Sequence, residues 1–199
     1  MMGYYMNIIV GSATKLTKEV IVSLANYRYK VFVEQLGWNL GTPEGIELDQ
    51  FDRPDTLYVV ARNQQKDIIG CARLLPTTRP YLLEEVFPEL LNGLPPPKSN
   101  EIWELSRFAA VDFSPVKTHP LRLINSSTSN GKISSTVTLN ILSTVMQTAK
   151  EQGAKRLLLV SYTGAERIVR RAGYHIHRAG APKLDDGKWI IACWVEIPD

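Results

Sequence analysis

The chain has 199 residues, of which 44% are hydrophobic and 22% charged, the ordinary composition of a globular protein, and this excludes a disordered chain and a coiled coil. One domain spanning residues 1–199 is expected, since two would need a linker between separate cores and none is visible. The net charge of +3 is unevenly spread: residues 1–149 hold 14 Lys and Arg against 14 Asp and Glu, whereas residues 150–199 hold 9 against 6.

No apolar run approaches the roughly 18–20 residues that span a bilayer. Met1 to Val10 lacks the basic segment, apolar stretch and cleavage site of a secretory leader, so a cytoplasmic protein without membrane attachment is expected. Cys71 and Cys193 lie far apart without CxxC spacing and read as reduced and buried.

Met1 to Tyr5 reads as a ragged lead, and Asn7 to Val10 as a short first strand. From Thr17 to Leu36, Val20, Leu24, Tyr27 and Val31 recur at helical spacing, and Gly37 stands where that helix would end. Trp38 to Thr56 has no sustained period and predicts a long irregular loop, of the length usually tied to function. Leu57 to Arg62 and Ile68 to Leu75 predict a hairpin across a polar connection. Leu82 to Leu91 predicts a short helix before the Gly-Leu-Pro-Pro-Pro stop at 93–97, and Ile102 to Val111 another strand. Residues 114–135, rich in Ser, Asn and Thr from Thr118 onward, read as a mobile loop. Helix resumes near Ser135 with Val137, Ile141, Leu142, Val145 and Ala149 on one stripe ending before Gly153. Arg156 to Ser161 predicts a buried strand, Gly164 to Ala172 a helix closed by Gly173, and Trp189 to Ile197 a last strand after an Asp-Asp-Gly turn. A hairpin-rich front and a crossover-rich back imply an α/β (α+β) fold, one mixed sheet with helices on its faces.

Arg28 and Phe32 are four apart on the first predicted helix, adjacent to one another and at the edge of its core face. A guanidinium can clamp a carboxylate and a ring can hold an adenine or face a cation; the plainer reading is an arginine beside packed aromatics. Asp49 and Asp52 stand three apart in the irregular loop, placed either to meet a cationic centre or to cap turns. Arg73 interrupts an apolar strand, where parity puts it on the face of Ile69 and Cys71, and its partner is expected within Glu101 to Phe108, since an unpaired buried charge is costly. Glu104 and Arg107 fall on opposite faces of a regular strand, so joint use in one site requires a bulge or the strand's end. Lys150, Lys155, Arg156, Arg167, Arg170 and Arg171 form the densest basic cluster, either a solvated face or a surface for an acidic protein, a phosphate or a nucleic acid.

His119, His175 and His177 show no HxxxH or HExxH arrangement, so no metal site is expected. Dinucleotide, P-loop, hydrolase and zinc signatures are absent, as are nucleic-acid-binding patterns.

Arg28, Phe32, Trp38, Asp49, Asp52, Arg73, Glu104 and Arg107 together resemble, in order and spacing, the signature set of the acyl-homoserine lactone synthases, the autoinducer synthases of bacterial quorum sensing. The resemblance runs from Met6 to Gly173 and is most specific at Arg-x-x-x-Phe-x-x-x-x-x-Trp (28–38), Asp-x-x-Asp (49–52) and Glu-Leu-Ser-Arg-Phe (104–108). It implies a fold similar to the GCN5-related N-acyltransferases. It also implies transfer of an acyl chain from acyl carrier protein to S-adenosylmethionine, then lactonisation with release of methylthioadenosine. S-adenosylmethionine is then a substrate and no cofactor is required. By the same resemblance Arg28, Phe32, Trp38, Asp49, Asp52 and Arg107 bind S-adenosylmethionine or order the loop over it, and Arg73 holds the site together through an acid. Glu104 is the candidate general base, with a structural Glu104–Arg ion pair as its alternative.

Acyl carrier proteins are acidic, which makes Lys150, Lys155, Arg156, Arg170 and Arg171 candidates for carrier docking. Some relatives that prefer 3-oxo chains carry a Thr where this chain reads Leu157-Leu158-Leu159-Val160, so an unsubstituted chain of medium length, such as eight carbons, is expected. The expected partners are thus acyl carrier protein and S-adenosylmethionine, with no nucleic acid or membrane, and a monomer is favoured. The rivals are a coenzyme A-dependent GCN5-like N-acyltransferase, whose pyrophosphate loop is missing from residues 118–137, and a non-catalytic binding module.

Overall fold

The computed structural model describes residues 6–114 and 131–198. Its strands are β1 (Asn7–Ser12), β2 (Leu57–Arg62), β3 (Ile68–Pro76), β4 (Ile102–Ala109), β5 (Val111–Asp112), β6 (Lys132–Ile133), β7 (Arg156–Tyr162), β8 (Ile176–Arg178), β9 (Lys183–Asp185) and β10 (Lys188–Glu196). The α-helices are α1 (Lys18–Arg28), α2 (Leu82–Val86), α3 (Ser135–Glu151) and α4 (Ala165–Arg171). Eight strands form one mixed sheet in the order β1-β2-β3-β4-β7-β10-β8, with β9 paired to β10. Among the described residues only β4 and β7 pair in parallel. Among the described residues no helix is long and apolar enough to cross a membrane.

Thr17 caps α1 by accepting from the Val20 amide. The helix then widens into a π-helical stretch over Tyr29–Gln35 instead of running unchanged to Leu36, and Gly37, at a φ of +73°, turns the chain out of it. The expected single helix over Leu82–Leu91 divides at Pro88 into α2 and a 3₁₀ turn, Pro88–Leu91. The expected strand to Val111 is interrupted at Ala110, and β5 pairs instead with β6. The predicted mobile loop is therefore corrected at its end, where Lys132 and Ile133 are strand, while residues 115–130 and the Met1–Tyr5 lead lie outside the described residues. β8 and β9 lie in a segment with no predicted strand.

One face of the sheet packs Val59, Ala72, Leu74, Leu157, Leu159 and Ile191 against the α3 stripe of Val137, Ile141, Leu142 and Val145. The other face carries two apolar clusters. Tyr58, Val60 and Cys71 meet Leu24, Tyr27, Val31 and Phe32 from the first helix, while Leu75, Leu158, Ile190 and Ala192 meet Phe51, Leu83, Leu90 and Leu91. On β3 the seam between them falls at Arg73, flanked on its face by Cys71 and Leu75.

Two irregularities aim the side chains. Opposite Ala61/Arg62 the partners are Gly70 and Ile68, so Ile69 is the extra residue of a bulge. Ile69 turns to the α3 face, so of the two residues that simple parity puts beside Arg73, Cys71 shares its face and Ile69 does not. In the β3–β4 pair Cys71 faces Ala109 but Arg73 faces Ser106, so β4 carries one residue more than β3 over the same span. Arg107, at a φ of +51°, sits in that second bulge.

Candidate active site

Six charged side chains meet at the seam as a ring of alternating sign. Arg28 grips Asp52 through both terminal nitrogens, 2.6 and 2.9 Å. Asp52 lies 3.2 Å from the Arg73 guanidinium, which in turn grips both oxygens of Asp49 at 2.6 and 3.1 Å. Asp49 accepts from Arg107 at 2.9 Å, Arg107 donates twice to Glu47 at 3.0 and 3.1 Å, and Glu47 closes the ring by accepting from Arg28 Nε. Three guanidiniums and three carboxylates make the ring neutral. Burying it is tolerable because each charge has opposite partners and charge-assisted hydrogen bonds. Arg28, Glu47 and Arg73 are at most 1% exposed, while Asp49 reaches 20%.

Each member is held by its own element. Arg28 ends α1 and is fully buried, as is Phe32, so both are core residues and not the edge of the core face that helical spacing suggests. Asp49 and Asp52 satisfy both readings of their spacing: Asp49 accepts from the Phe51 amide and Asp52 from the Asp49 amide, as turn caps do, while both neutralise arginines. Tyr58 donates its hydroxyl to Asp52 at 2.8 Å. Arg73 donates Nε to Ser106 at 3.0 Å, so the β4 segment supplies a hydroxyl and the loop supplies its carboxylates, which corrects the expected location of its acid. The β4 bulge turns Arg107 to the face of Ser106, and the Cys71 thiol bonds the Arg107 carbonyl at 3.2 Å.

Burial alone would raise the Glu47 and Asp52 pKa values. The bonds and charge of Arg28 outweigh it in both, helped by Arg107 at Glu47 and Arg73 at Asp52, and both carboxyls stay below their ordinary range. Glu104 behaves oppositely. It is fully buried, and burial pushes its pKa up to about 7, only partly offset by its hydrogen bonds and by the charges of Arg73 and Arg107. Its oxygens accept from the amides of Leu83 at 2.7 Å and Leu82 at 2.9 Å, at the start of α2. Among the described residues it makes no ion pair with an arginine, so the structural alternative for it is a bridge to α2 and not a salt bridge.

Phe32 and Trp38 stack with ring centroids 4.9 Å apart and planes at 26°, because the Trp38 amide folds back onto the Phe32 carbonyl. The Arg107 guanidinium lies 5.6 Å from each ring centroid. Beyond the Leu105–Leu159 pair β4 and β7 no longer pair. This parting, the gap between the two strands, lies beside the apolar row Leu158, Val160 and Tyr162 on β7.

The autoinducer synthase family model matches residues 12–199. The chain belongs to that family. Its activity is that of an acyl-homoserine-lactone synthase: the enzyme of that name from Acinetobacter nosocomialis is 50% identical over 192 residues, covering 96% of this chain and 100% of the relative. The one from Ralstonia solanacearum is 43% identical, covering 96% and 89%. Among solved structures, TofI in a ternary complex with an inhibitor and methylthioadenosine is 43% identical, with a TM-score of 0.79 over 96% of this chain and 91% of that one. BjaI, a coenzyme A-dependent acyl-homoserine lactone synthase solved with S-adenosylmethionine and isopentyl-CoA, is 27% identical, with a TM-score of 0.80 over 98% and 84%. A structure described as a putative N-acetyltransferase, from Lactobacillus plantarum, is 15% identical with a TM-score of 0.59 over 97% of this chain and 99% of that one, and shares the fold, as the GCN5-like expectation requires.

Seven of the eight signature residues thus come together, and Glu104 stands apart from the ring on the same strand. Sequence reasoning missed Glu47. Its signal was inverted amphipathicity: Ile46 and Leu48 are exposed at 42% and 40%, and the acid between them is buried. The basic side chains Lys150, Lys155, Arg156, Arg170 and Arg171 are all exposed at the other end of the sheet, where α3 and α4 finish and β7 begins. Arg156 stands six residues from Tyr162 along β7, about 20 Å at strand rise. Lys155 pairs with Glu101, Lys150 donates to the Pro198 carbonyl, and Arg156 lies over Trp194. Both cysteines are free and buried, and burial pushes each thiol up to about 12, far from a nucleophile.

Proposed function

We propose that this synthase joins an unsubstituted acyl chain of medium length, about eight carbons, from acyl carrier protein to S-adenosylmethionine, releasing the lactone and methylthioadenosine. The observation that carries the reading is the neutral ring with its stacked aromatic pair, placed where β4 and β7 stop pairing and joined to the apolar row of β7 by the Trp38–Tyr162 bond. S-adenosylmethionine combines a carboxylate with an ammonium and a sulfonium. Arg107 suits the carboxylate, Asp49 the ammonium, and the Phe32–Trp38 pair the sulfonium and adenine. Arg28, Asp52 and Arg73 shape these groups from behind.

In the first step the ammonium loses a proton and the amine attacks the thioester carbonyl; the new C–N bond replaces the C–S bond, and the carrier's thiol leaves with a proton. Glu104 serves as general base through a water, since both its oxygens are occupied by amides and its pKa of about 7 suits proton abstraction near neutral pH. In the second step the substrate carboxylate attacks the γ-carbon, and the C–S⁺ bond breaks to expel a neutral thioether. The row Leu158 and Val160 offers no hydroxyl to a 3-oxo group, which favours an unsubstituted chain. The exposed basic end of the sheet suits an acidic carrier, and the pyrophosphate-loop pattern of coenzyme A-dependent acyltransferases is missing from residues 118–137, which together favour the carrier over coenzyme A, the donor of BjaI.

The test is mass spectrometry of purified protein incubated with S-adenosylmethionine and, separately, carrier proteins charged with C4 to C12 chains and the matching acyl-CoAs. The expected products are an acyl-homoserine lactone and methylthioadenosine, best from C8 carrier protein. A preference for acyl-CoA overturns the donor, and acylated amine without methylthioadenosine overturns the lactonisation step.

A further inference from the structure

Where β4 and β7 part, two polar links reach from the β7–β10 half of the sheet to the end of the first helix. The Trp38 indole donates to the Tyr162 hydroxyl at 2.7 Å, with the rings edge to face at 6.3 Å. Lys188 on β10 places its ammonium 5.3 Å from the Tyr162 ring centroid and donates to the Leu36 carbonyl at 3.3 Å. Tyr162 is the last residue of β7 and ends the apolar row, so its ring borders the acyl side while its hydroxyl holds the aromatic wall of the other side. Trp38 is half-buried and follows Gly37, at a φ of +73°, so one side of its ring faces away from the core that holds Phe32. The backbone bond to Phe32 sets where the ring starts, and the bond at its nitrogen is the link that reaches the ring from the β7 side.

We infer that Tyr162 is a positioning residue of this synthase, holding Trp38 across the gap so that the aromatic pair and Arg107 meet S-adenosylmethionine in a fixed arrangement. Lys188 braces Tyr162 from its other side. The inference rests on the reading of S-adenosylmethionine as the substrate bound there.

Steady-state kinetics of wild type, Tyr162→Phe, Trp38→Phe and the double variant, following lactone and methylthioadenosine, test it. Tyr162→Phe keeps the ring and removes one neutral hydrogen bond, so KM for S-adenosylmethionine rises about two- to tenfold while KM for the acyl donor and the Tm stay put. In the Trp38→Phe background the same change has no further effect, because the shared bond is already gone. Lys188→Met, at an exposed position, gives a rise of about two- to fivefold in the same KM. An unchanged KM in Tyr162→Phe, full additivity in the double variant, or a rise in the acyl-donor KM alone overturns the inference while the proposed function stands. A wild type that makes no lactone from S-adenosylmethionine overturns both.

Discussion

Replacing Glu47 by Gln tests whether the ring is a structural unit or a set of incidental contacts. The substitution keeps the shape and deletes one negative charge, leaving Arg28 and Arg107 without their shared partner and the ring at +1. The new side-chain amide would also point its hydrogens at one of two guanidiniums that have only donors to offer. Breaking a buried ion pair from one side costs about 3–5 kcal/mol. At about 2–4 °C of Tm per kcal/mol for a chain of this size, the expected loss is about 6–20 °C. Thermal unfolding followed by circular dichroism at pH 7.5 reads it, with Leu48→Gln as the exposed neighbour expected to fall within about 0.5 kcal/mol of wild type. The arginines hold the Glu47 pKa down, so its contribution is present at neutral pH and is lost as pH falls through that lowered pKa; the gap between wild type and variant narrows below about pH 4. A Tm within about 2 °C of wild type at pH 7.5 corresponds to less than about 1 kcal/mol and would mean that the six charges are not a cooperative unit.

Glu104→Gln lowers kcat about 10²–10⁴-fold and removes the rise of rate with pH near 7 that wild type shows, and a variant that keeps that rise excludes Glu104 as the base. In unfolding, because burial raises the Glu104 pKa, its favourable contribution is complete below about pH 4 and lost as pH climbs through 7, so the variant gains on wild type over that span. Reversing Lys155, Arg156 and Arg170 to Glu raises KM for acyl carrier protein at low salt, with the effect fading as salt screens it, and leaves KM for S-adenosylmethionine unchanged. An unchanged carrier KM at low salt removes the patch from docking.

The sequence carried the fold wherever periodicity was clean. The stripe from Val137 to Ala149 and the hairpin from Leu57 predict their elements almost to the residue, because one buried face sets the spacing of each. β8 and β9 escaped because they are three residues each, too short to show a period of two, and five of the six are exposed. The site was legible as residue types in order, but not as geometry. Strand neighbours point to an acid for Arg73 on the adjoining strand, yet the acids come from a loop whose path no local rule dictates. Glu47 was hidden because a buried acid between two exposed aliphatic residues inverts the usual pattern, and Glu104 serves a helix start that is distant in sequence.

The bulge at Arg107 makes chain length itself part of the site. Removing Phe108 would restore a regular ladder with β3 and set Arg107 opposite Ala72, half a turn of the pleat from its present face. A guanidinium would then face Ile141 and Val145, among groups that offer it neither a carboxylate nor water. The polar turn from Asn63 to Asp67, between β2 and β3, sets the face of no site residue, and a change in its length costs loop entropy and a few exposed hydrogen bonds. Deletions and insertions should therefore be far rarer across β4 than across that turn, even where individual side chains of the strand are free to vary.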